Sequence, residues 1–236
     1  MADLPIPFSR PMSLALRDGR KTQTRRYLNP QPRVDDQGNL IVGKWNYGQT
    51  IGDRGSTVAN FKSSSFRKRL RIASPGDRLW VREEHYRFGH WVPIEGELTR
   101  GGRQKWAFVA DSDEVLYDPP ARFRRSRHLS DFATPFWHKR NARFMFRRHS
   151  RITLLVTDVR VQHLQDIDEA DAAAEGTQEP TLRDLGDDLA QAAWSERQVY
   201  SRLWNHLHGA GAWDLNPWVS ATTFTVALKN IDQVSR

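Results

Sequence analysis

A short basic segment near the start of the chain holds residue types that could act together as a nucleophile and its base. The run GRKTQTRR, residues 19–26, contains one amine, two hydroxyls and three guanidinium groups. A hydroxyl nucleophile needs a base, and Lys21 can serve as one when burial or nearby cations lower its pKa. Taken alone, the segment is more typical of a solvated basic turn, and a nucleophile–base pair is the alternative that motifs further along the chain favour.

The elements around this segment must bring its side chains together. Pro11 suits the first turn of a helix that ends at Gly19, and residues 21–26 then form an extended segment. In a regular strand Lys21 and Thr24 face opposite sides, so they converge only if Lys21 lies in the turn or a bulge intervenes. Thr22 shares the parity of Thr24 and is a second candidate hydroxyl.

The rest of the chain predicts short strands and short helices in irregular order. We expect strands at residues 5–8, 78–83, 105–110, 151–163 and 217–228, and helices at 168–176 and 189–207. Without regular βαβ alternation, this order favours an α+β fold built around a small β-barrel. No repeat or linker is evident. We expect one domain over residues 1–236, with long loop insertions at about 28–75 and 88–150, the first with little core.

Composition narrows the class of protein. The chain has 236 residues, a net charge of +8, and nine tryptophans and eleven phenylalanines for a core. It has no apolar run of about 18 residues and no signal peptide, so we expect a cytoplasmic protein without a membrane segment. The absence of cysteine excludes disulfides, thiolate catalysis and cysteine-ligated zinc. The eight histidines form no convincing metal set, and no P-loop or dinucleotide motif is present, so we expect no metal and no cofactor.

Charge is segregated along the chain. The segment Arg122–Arg151 carries ten Lys or Arg and one acid, Asp131, and six aromatic residues are interleaved with them. Residues 166–188 carry nine acids and one arginine. Basic residues among aromatic rings are typical of surfaces that bind single-stranded RNA, although a basic surface can also lack a partner.

Five motifs stand in one order along the chain. They are GRKTxTRR at 19–26, PGDRLWVRE at 75–83, SRITLxVTDVRV at 150–161, LQDI at 164–167 followed by AxxEG at 172–176, and WDxNPWV at 213–219. Together they resemble the ASCH domain family, in the larger form often carried by phages and prophages. The resemblance spans about residues 7–228. It implies a PUA-like fold, which is a small β-barrel with helices at its rim.

The resemblance also implies an activity. One branch of the family contains small amidohydrolases that remove the acyl group from N4-acetylcytidine, using a lysine and a threonine of a GxKTxT segment and a glutamate of an AxxE segment. These positions are Lys21, Thr24 and Glu175 here. In one version Thr24 attacks, Lys21 is its base and Glu175 protonates the leaving amine or activates the deacylating water. In the other, Glu175 activates water while Lys21 and Thr24 stabilise the oxyanion.

Further residues are candidates for substrate binding. Thr22 and Arg26 neighbour the catalytic candidates, and Glu83 follows an apolar strand, although a structural salt bridge explains Glu83 equally well. Trp80 and Trp218 could stack on a base or simply pack in the core. The sequence thus predicts a metal-independent amidohydrolase for N4-acylated cytosine nucleosides. The alternatives are an RNA-binding module that uses Arg122–Arg151, or a ribonuclease. The preferred acyl group, the choice between free nucleoside and RNA, and the oligomeric state stay open.

Overall fold

The computed structural model describes residues 1–49, 64–127, 131–177 and 195–235. The strands are β1 (Asp3–Pro7), β2 (Gln23–Tyr27), β3 (Arg33–Val34), β4 (Asn39–Val42), β5 (Trp45–Gln49), β6 (Arg78–Arg82), β7 (His85–Leu98), β8 (Gln104–Leu116), β9 (Phe136–Arg140), β10 (Thr153–His163) and β11 (Trp218–Ala227). The α-helices are α1 (Arg10–Arg17), α2 (Ser64–Leu70), α3 (Glu169–Ala174) and α4 (Glu196–His208). None of these helices is long and apolar enough to cross a membrane.

The strands form three sheets, with orders β1-β6-β10-β11-β2, β3-β4-β5 and β8-β7-β9. Strand β10 pairs antiparallel with both β6 and β11, and β11 pairs antiparallel with β2. The predicted α+β class is confirmed. The barrel is not seen, because β1 and β2 form the two edges of the five-stranded sheet, and no sheet of the described residues closes on itself.

The chain divides into two compact units. The first comprises Met1–Leu4, Pro11–Trp80 and Arg151–Arg236, and the second comprises Pro5–Arg10 and Val81–Ser150. In the first unit, the central strands β10 and β11 bury Leu154, Val219 and Phe224 almost completely. This burial accounts for the apolar character of the two strands, which the sequence predicted within one or two residues at each end.

The expectation that residues 28–75 form loops with little core is wrong. Strands β3, β4 and β5 form an antiparallel sheet there, and α2 follows. Leu40, Val42 and Phe66 are at most 1% exposed. The apolar positions are few and stand among Asn, Gly and Ser. The composition therefore did not indicate the β3–β4–β5 sheet, whose formation depends on tertiary packing. Residues 50–63 of this predicted insertion lie outside the described residues.

The second predicted loop insertion, residues 88–150, also contains long strands. Strand β7 lies at the centre of a sheet, pairing antiparallel with β8 and β9. Glycine is required at position 89 of β7, because a Cβ atom there would lie 2.1 Å from the main-chain oxygen of Val109 on β8. The strand predicted at 105–110 is confirmed and extends over Gln104–Leu116.

Local signals placed the helices well. Helix α1 ends before Gly19, which has a φ of 74°. The Asp168 side chain caps α3 by accepting a hydrogen bond from the Asp171 backbone. Ser195 caps α4 in the same way through Gln198. The helix predicted from Leu189 thus begins at Glu196 in the described residues, and residues 189–194 lie outside them.

Candidate functional site

Lys21 and Glu175 form a buried ion pair in the first unit. The Lys21 Nζ donates to Glu175 Oε2 and to the main-chain oxygen of Glu175, at 2.8 Å in each case. Their side chains are 3% and 4% exposed. The two residues also pair through an isolated antiparallel bridge. The structure therefore brings together two of the three predicted catalytic residues, which are 154 positions apart in the sequence.

Local backbone geometry explains how the pair is held. Glu175 caps the C-terminus of α3, and Gly176 turns the chain with a φ of 78°, where glycine is favoured. A Cβ atom on Gly176 would lie 3.0 Å from the Cβ of Lys21 and 3.2 Å from that of Ala15. The Lys21 N–H donates to the oxygen of Ala15 at 3.1 Å. Lys21 is therefore fixed between the end of α1 and the end of α3.

Arg25 connects this pair to a second, partly buried acid, Asp171. Its guanidinium lies 3.2 Å from Glu175 Oε1 and 2.6 Å from Asp171 Oδ2, and its side chain is fully buried. Gln23 accepts a hydrogen bond from Arg25 and donates to Asp171 at 3.0 Å. The network holds both oxygens of the Glu175 carboxylate and thereby orients it.

Two residue spacings make this network possible once α3 packs against β2. Lys21, Gln23 and Arg25 alternate along an extended chain, so their side chains share a face. Asp171 and Glu175 are four residues apart at α3 and share a helix face. The sequence indicated Arg25 only as a neighbouring charge, and it did not single out Gln23 or Asp171. The two matching spacings, three polar residues two apart and two acids four apart, are the signal that could have found them.

The surroundings of the pair shift the pKa values of Lys21 and of Tyr200. Burial lowers the pKa of Lys21 from its usual 10.5, Glu175 opposes this effect, and the positive charges of Arg26 and Arg25 add to it. Burial, reinforced by the negative charge of Glu175, raises the pKa of Tyr200 on α4 well above 10. Tyr200 is therefore a protonated hydroxyl near the pair, and the amine of Lys21 gives up its proton more readily than an exposed lysine.

Thr24 is buried in β2, but it does not join the pair. It lies opposite Thr222 of β11 and has the opposite parity to Gln23 and Arg25. Within the described residues, no hydrogen bond links its hydroxyl to Lys21 or Glu175. Lys21 lies before the first residue of β2, as convergence with Thr24 would require, yet its amine is directed to Glu175. Thr22 and Arg26 are exposed beside this segment.

The remaining candidates lie in different surroundings. Trp218 is 6% exposed, and its ring lies 4.0 Å from that of His163. Trp80 is 7% exposed and sits opposite Thr153 in the five-stranded sheet. Both tryptophans therefore contribute to the buried part of the first unit. Glu83 belongs to the second unit, where it is buried and its N–H faces the sulfur of Met145 at 3.4 Å.

No metal-binding cluster accompanies the pair in the described part of the chain. Among the residues that the structure describes, no group of three or more His, Asp or Glu side chains is arranged to hold a metal ion. Comparison of the chain with protein-family models, with curated proteins and with solved structures finds no significant match. The function is therefore argued from the geometry of the site.

Proposed function

We propose that this chain is a PUA-like ASCH domain with added strands, and that it acts as a metal-independent amidohydrolase on N4-acylated cytosine nucleosides. The observation that carries the proposal is the buried Lys21–Glu175 pair, whose lysine has a lowered pKa. The motif order around residues 19–26 and 172–176 supports the choice of substrate. Site residues with perturbed pKa values and a specific partner are typical of catalytic centres.

The geometry supports direct attack by water more strongly than attack by Thr24. Glu175 would take a proton from water, whose oxygen adds to the acyl carbon. The Lys21 ammonium and the Thr24 hydroxyl would stabilise the resulting oxyanion. The C–N bond then breaks, the proton on Glu175 moves to the departing N4 amine, and a carboxylic acid and cytidine are released. Arg25 would position Glu175 throughout.

The alternative uses Thr24 as the nucleophile and Lys21 as its base, through an acyl ester on Thr24 that water then hydrolyses. It requires the Lys21 amine to leave Glu175 and reach the Thr24 hydroxyl, a contact that the described residues do not make. Replacement of Thr24 by Ala separates the two routes. Full loss of turnover is expected of a nucleophile, and partial loss of an oxyanion donor.

The test is release of cytidine from N4-acetylcytidine and N4-benzoylcytidine by the purified protein, measured by chromatography with and without EDTA. Lys21→Met and Glu175→Gln should each lower kcat/KM by about a hundredfold or more, because each removes a proton-transfer or charge-stabilising group. The matched controls, Lys44→Met and Glu95→Gln, change exposed residues of the same types and should retain activity.

Absence of cytidine release by the unaltered chain from either substrate would refute the proposed function. Release that both site variants retain would refute the assignment of the site. Release that EDTA abolishes would refute metal independence.

A further inference from the structure

The aromatic residues of the basic segment Arg122–Arg151 fall into two groups. Most of their rings pack within the second unit: Phe123 against Tyr86, Phe132 against Trp106, Phe136 beneath Arg124, and Trp137 against Phe88. Phe144 and Phe146 differ, because they are 47% and 55% exposed. The surface that the sequence assigned to the whole segment therefore narrows to these two rings and their surroundings.

Phe144 and Phe146 border a cavity of 310 Å³ in the second unit. Its described lining includes four arginines, Arg82, Arg87, Arg140 and Arg143, and no Asp or Glu. The carboxylate of Asp113 lies 3.7 Å from Arg87 and 3.0 Å from Arg148, but it is 84% exposed. The cavity is thus strongly positive, and its aromatic edge faces solvent.

Arg140 has donors available for a ligand. Its guanidinium lies 4.3 Å from the ring centre of Phe108 and 4.8 Å from that of Phe144. Within the described residues it makes no hydrogen bond and no ion pair. Among the same described residues, the Arg143 side chain makes no hydrogen bond or ion pair, and its guanidinium lies 4.8 Å from the ring centre of Phe144. Burial and the charge of Arg87 lower the pKa of Arg140, so a bound anion would relieve an unfavourable concentration of positive charge.

We propose that this cavity binds a nucleotide, with its phosphate on Arg140 and Arg143 and its base stacked on Phe144 or Phe146. Guanidinium groups match phosphate oxygens in charge and geometry, and exposed aromatic rings stack on any base. The volume is at the lower end of the range of about 300–1,000 Å³ typical of ligand pockets, which suits a single nucleotide. The site uses neither Lys21 nor Glu175, so it is independent of the proposed hydrolase.

The nucleotide could be free or part of single-stranded RNA, and the same chemistry serves both. The test therefore compares uridine monophosphate, uridine and inorganic phosphate by calorimetry with a labelled short oligouridylate by fluorescence anisotropy. Uridine should not bind measurably, because it lacks the phosphate. Saturation by the monophosphate alone identifies a free nucleotide, whereas binding of the oligouridylate alone identifies RNA; both outcomes support the proposal.

Variants show whether the cavity is the site. Arg143→Ala and Arg140→Gln should each weaken binding about tenfold or more, since each removes a charged hydrogen bond to phosphate. Phe144→Ala should weaken binding through loss of stacking. Arg122→Ala and Arg125→Ala remove the same charge from exposed positions of the basic segment outside the cavity lining. These controls should change the affinity less than about twofold.

For the oligouridylate, Arg143→Ala should also reduce the slope of log K against log salt by about 0.7, the contribution of one phosphate contact in a single strand. Arg143 and Phe144 are exposed, so their replacement leaves the core intact, and circular dichroism checks the fold. Equal weakening by the control variants would show diffuse charge attraction and overturn the proposal. The proposal would also be overturned if the unaltered chain bound neither the monophosphate nor the oligouridylate.

Discussion

At the scale of single residues, the protonation state of Lys21 decides which chemistry the site can perform. Burial lowers the pKa of Lys21, and Glu175 raises it in opposition. A base must be neutral and an oxyanion donor must be charged, so the two routes need opposite forms of the same amine. The pH dependence of turnover therefore distinguishes them.

If Lys21 acts as a cation, kcat/KM should fall as pH rises through its pKa, below 10.5; if it acts as a base, kcat/KM should rise over the same range. Arg26→Gln removes a nearby positive charge that lowers the pKa of Lys21. The pKa of Lys21 should therefore rise, and the fall or rise of kcat/KM should occur at higher pH in either case. Arg17→Gln, an exposed change on α1, is the control. If this change of kcat/KM occurs at the same pH in Arg26→Gln, it reports the titration of a group other than Lys21.

At the scale of elements, buried charges join α3 to the edge strand β2. Arg25 lies between Asp171 and Glu175, and Arg160 of β10 contacts Asp171 at 2.8 Å. The hydrogen bonds from Thr22 N–H to Ala174 and from Phe224 N–H to Thr22 continue the connection along the backbone. The positions of the catalytic candidates thus depend on the docking of one short helix against one edge strand.

Replacement of Arg25 by Met should lower the free energy of unfolding by about 1–3 kcal/mol, because Glu175 and Asp171 would lose charged hydrogen bonds from Arg25 but keep Lys21 and Arg160 as partners. Urea denaturation followed by tryptophan fluorescence measures this change. Arg17→Met removes a similar charge from an exposed position of α1 and should change the stability by less than about 0.5 kcal/mol. Equal stabilities of the Arg25→Met variant and the unaltered chain would show that the network contributes nothing to docking.

At the scale of the whole molecule, acid sensitivity should come from two buried histidines of the second unit. His85 and His138 are each 1% exposed, on β7 and β9. Burial lowers the pKa of both histidines to about 4. The positive charges of Arg140, Arg87 and His149 add to the effect at His85. Those of Arg124 and Arg140 add to it at His138. Between about pH 4 and 6.5 the unfolded chain therefore binds more protons than the folded chain.

The free energy of unfolding should consequently fall as pH drops from 6.5 to 4, by about 3 kcal/mol for each histidine. Denaturation curves at a series of pH values and constant ionic strength measure the slope. His138→Phe should flatten it, since His138 Nε2 has no hydrogen-bond partner among the described residues and phenylalanine cannot be protonated. The exposed His206→Phe is the control. A slope that His138→Phe leaves unchanged would contradict this origin of acid sensitivity.

The elements that could be predicted from the sequence are those with local signals. Strand β10 has alternating apolar residues, and α1 and α3 have a proline, an Asp cap and glycine stops at their ends. Such signals act within one or two turns of chain. The sheet of β3, β4 and β5 was missed because its few apolar residues stand among turn-forming ones.

The same division holds for the site. The sequence by itself determined that Lys21 follows a helix stop and that Glu175 ends an acidic helix, because caps and stops are local. Only the tertiary structure decided that Lys21 pairs with Glu175, that Arg25 bridges Glu175 and Asp171, and that Thr24 lies apart from the pair. These contacts join positions some 150 residues apart, and they depend on which face of β2 meets α3. Packing of whole elements sets that choice, and no spacing within either segment specifies it.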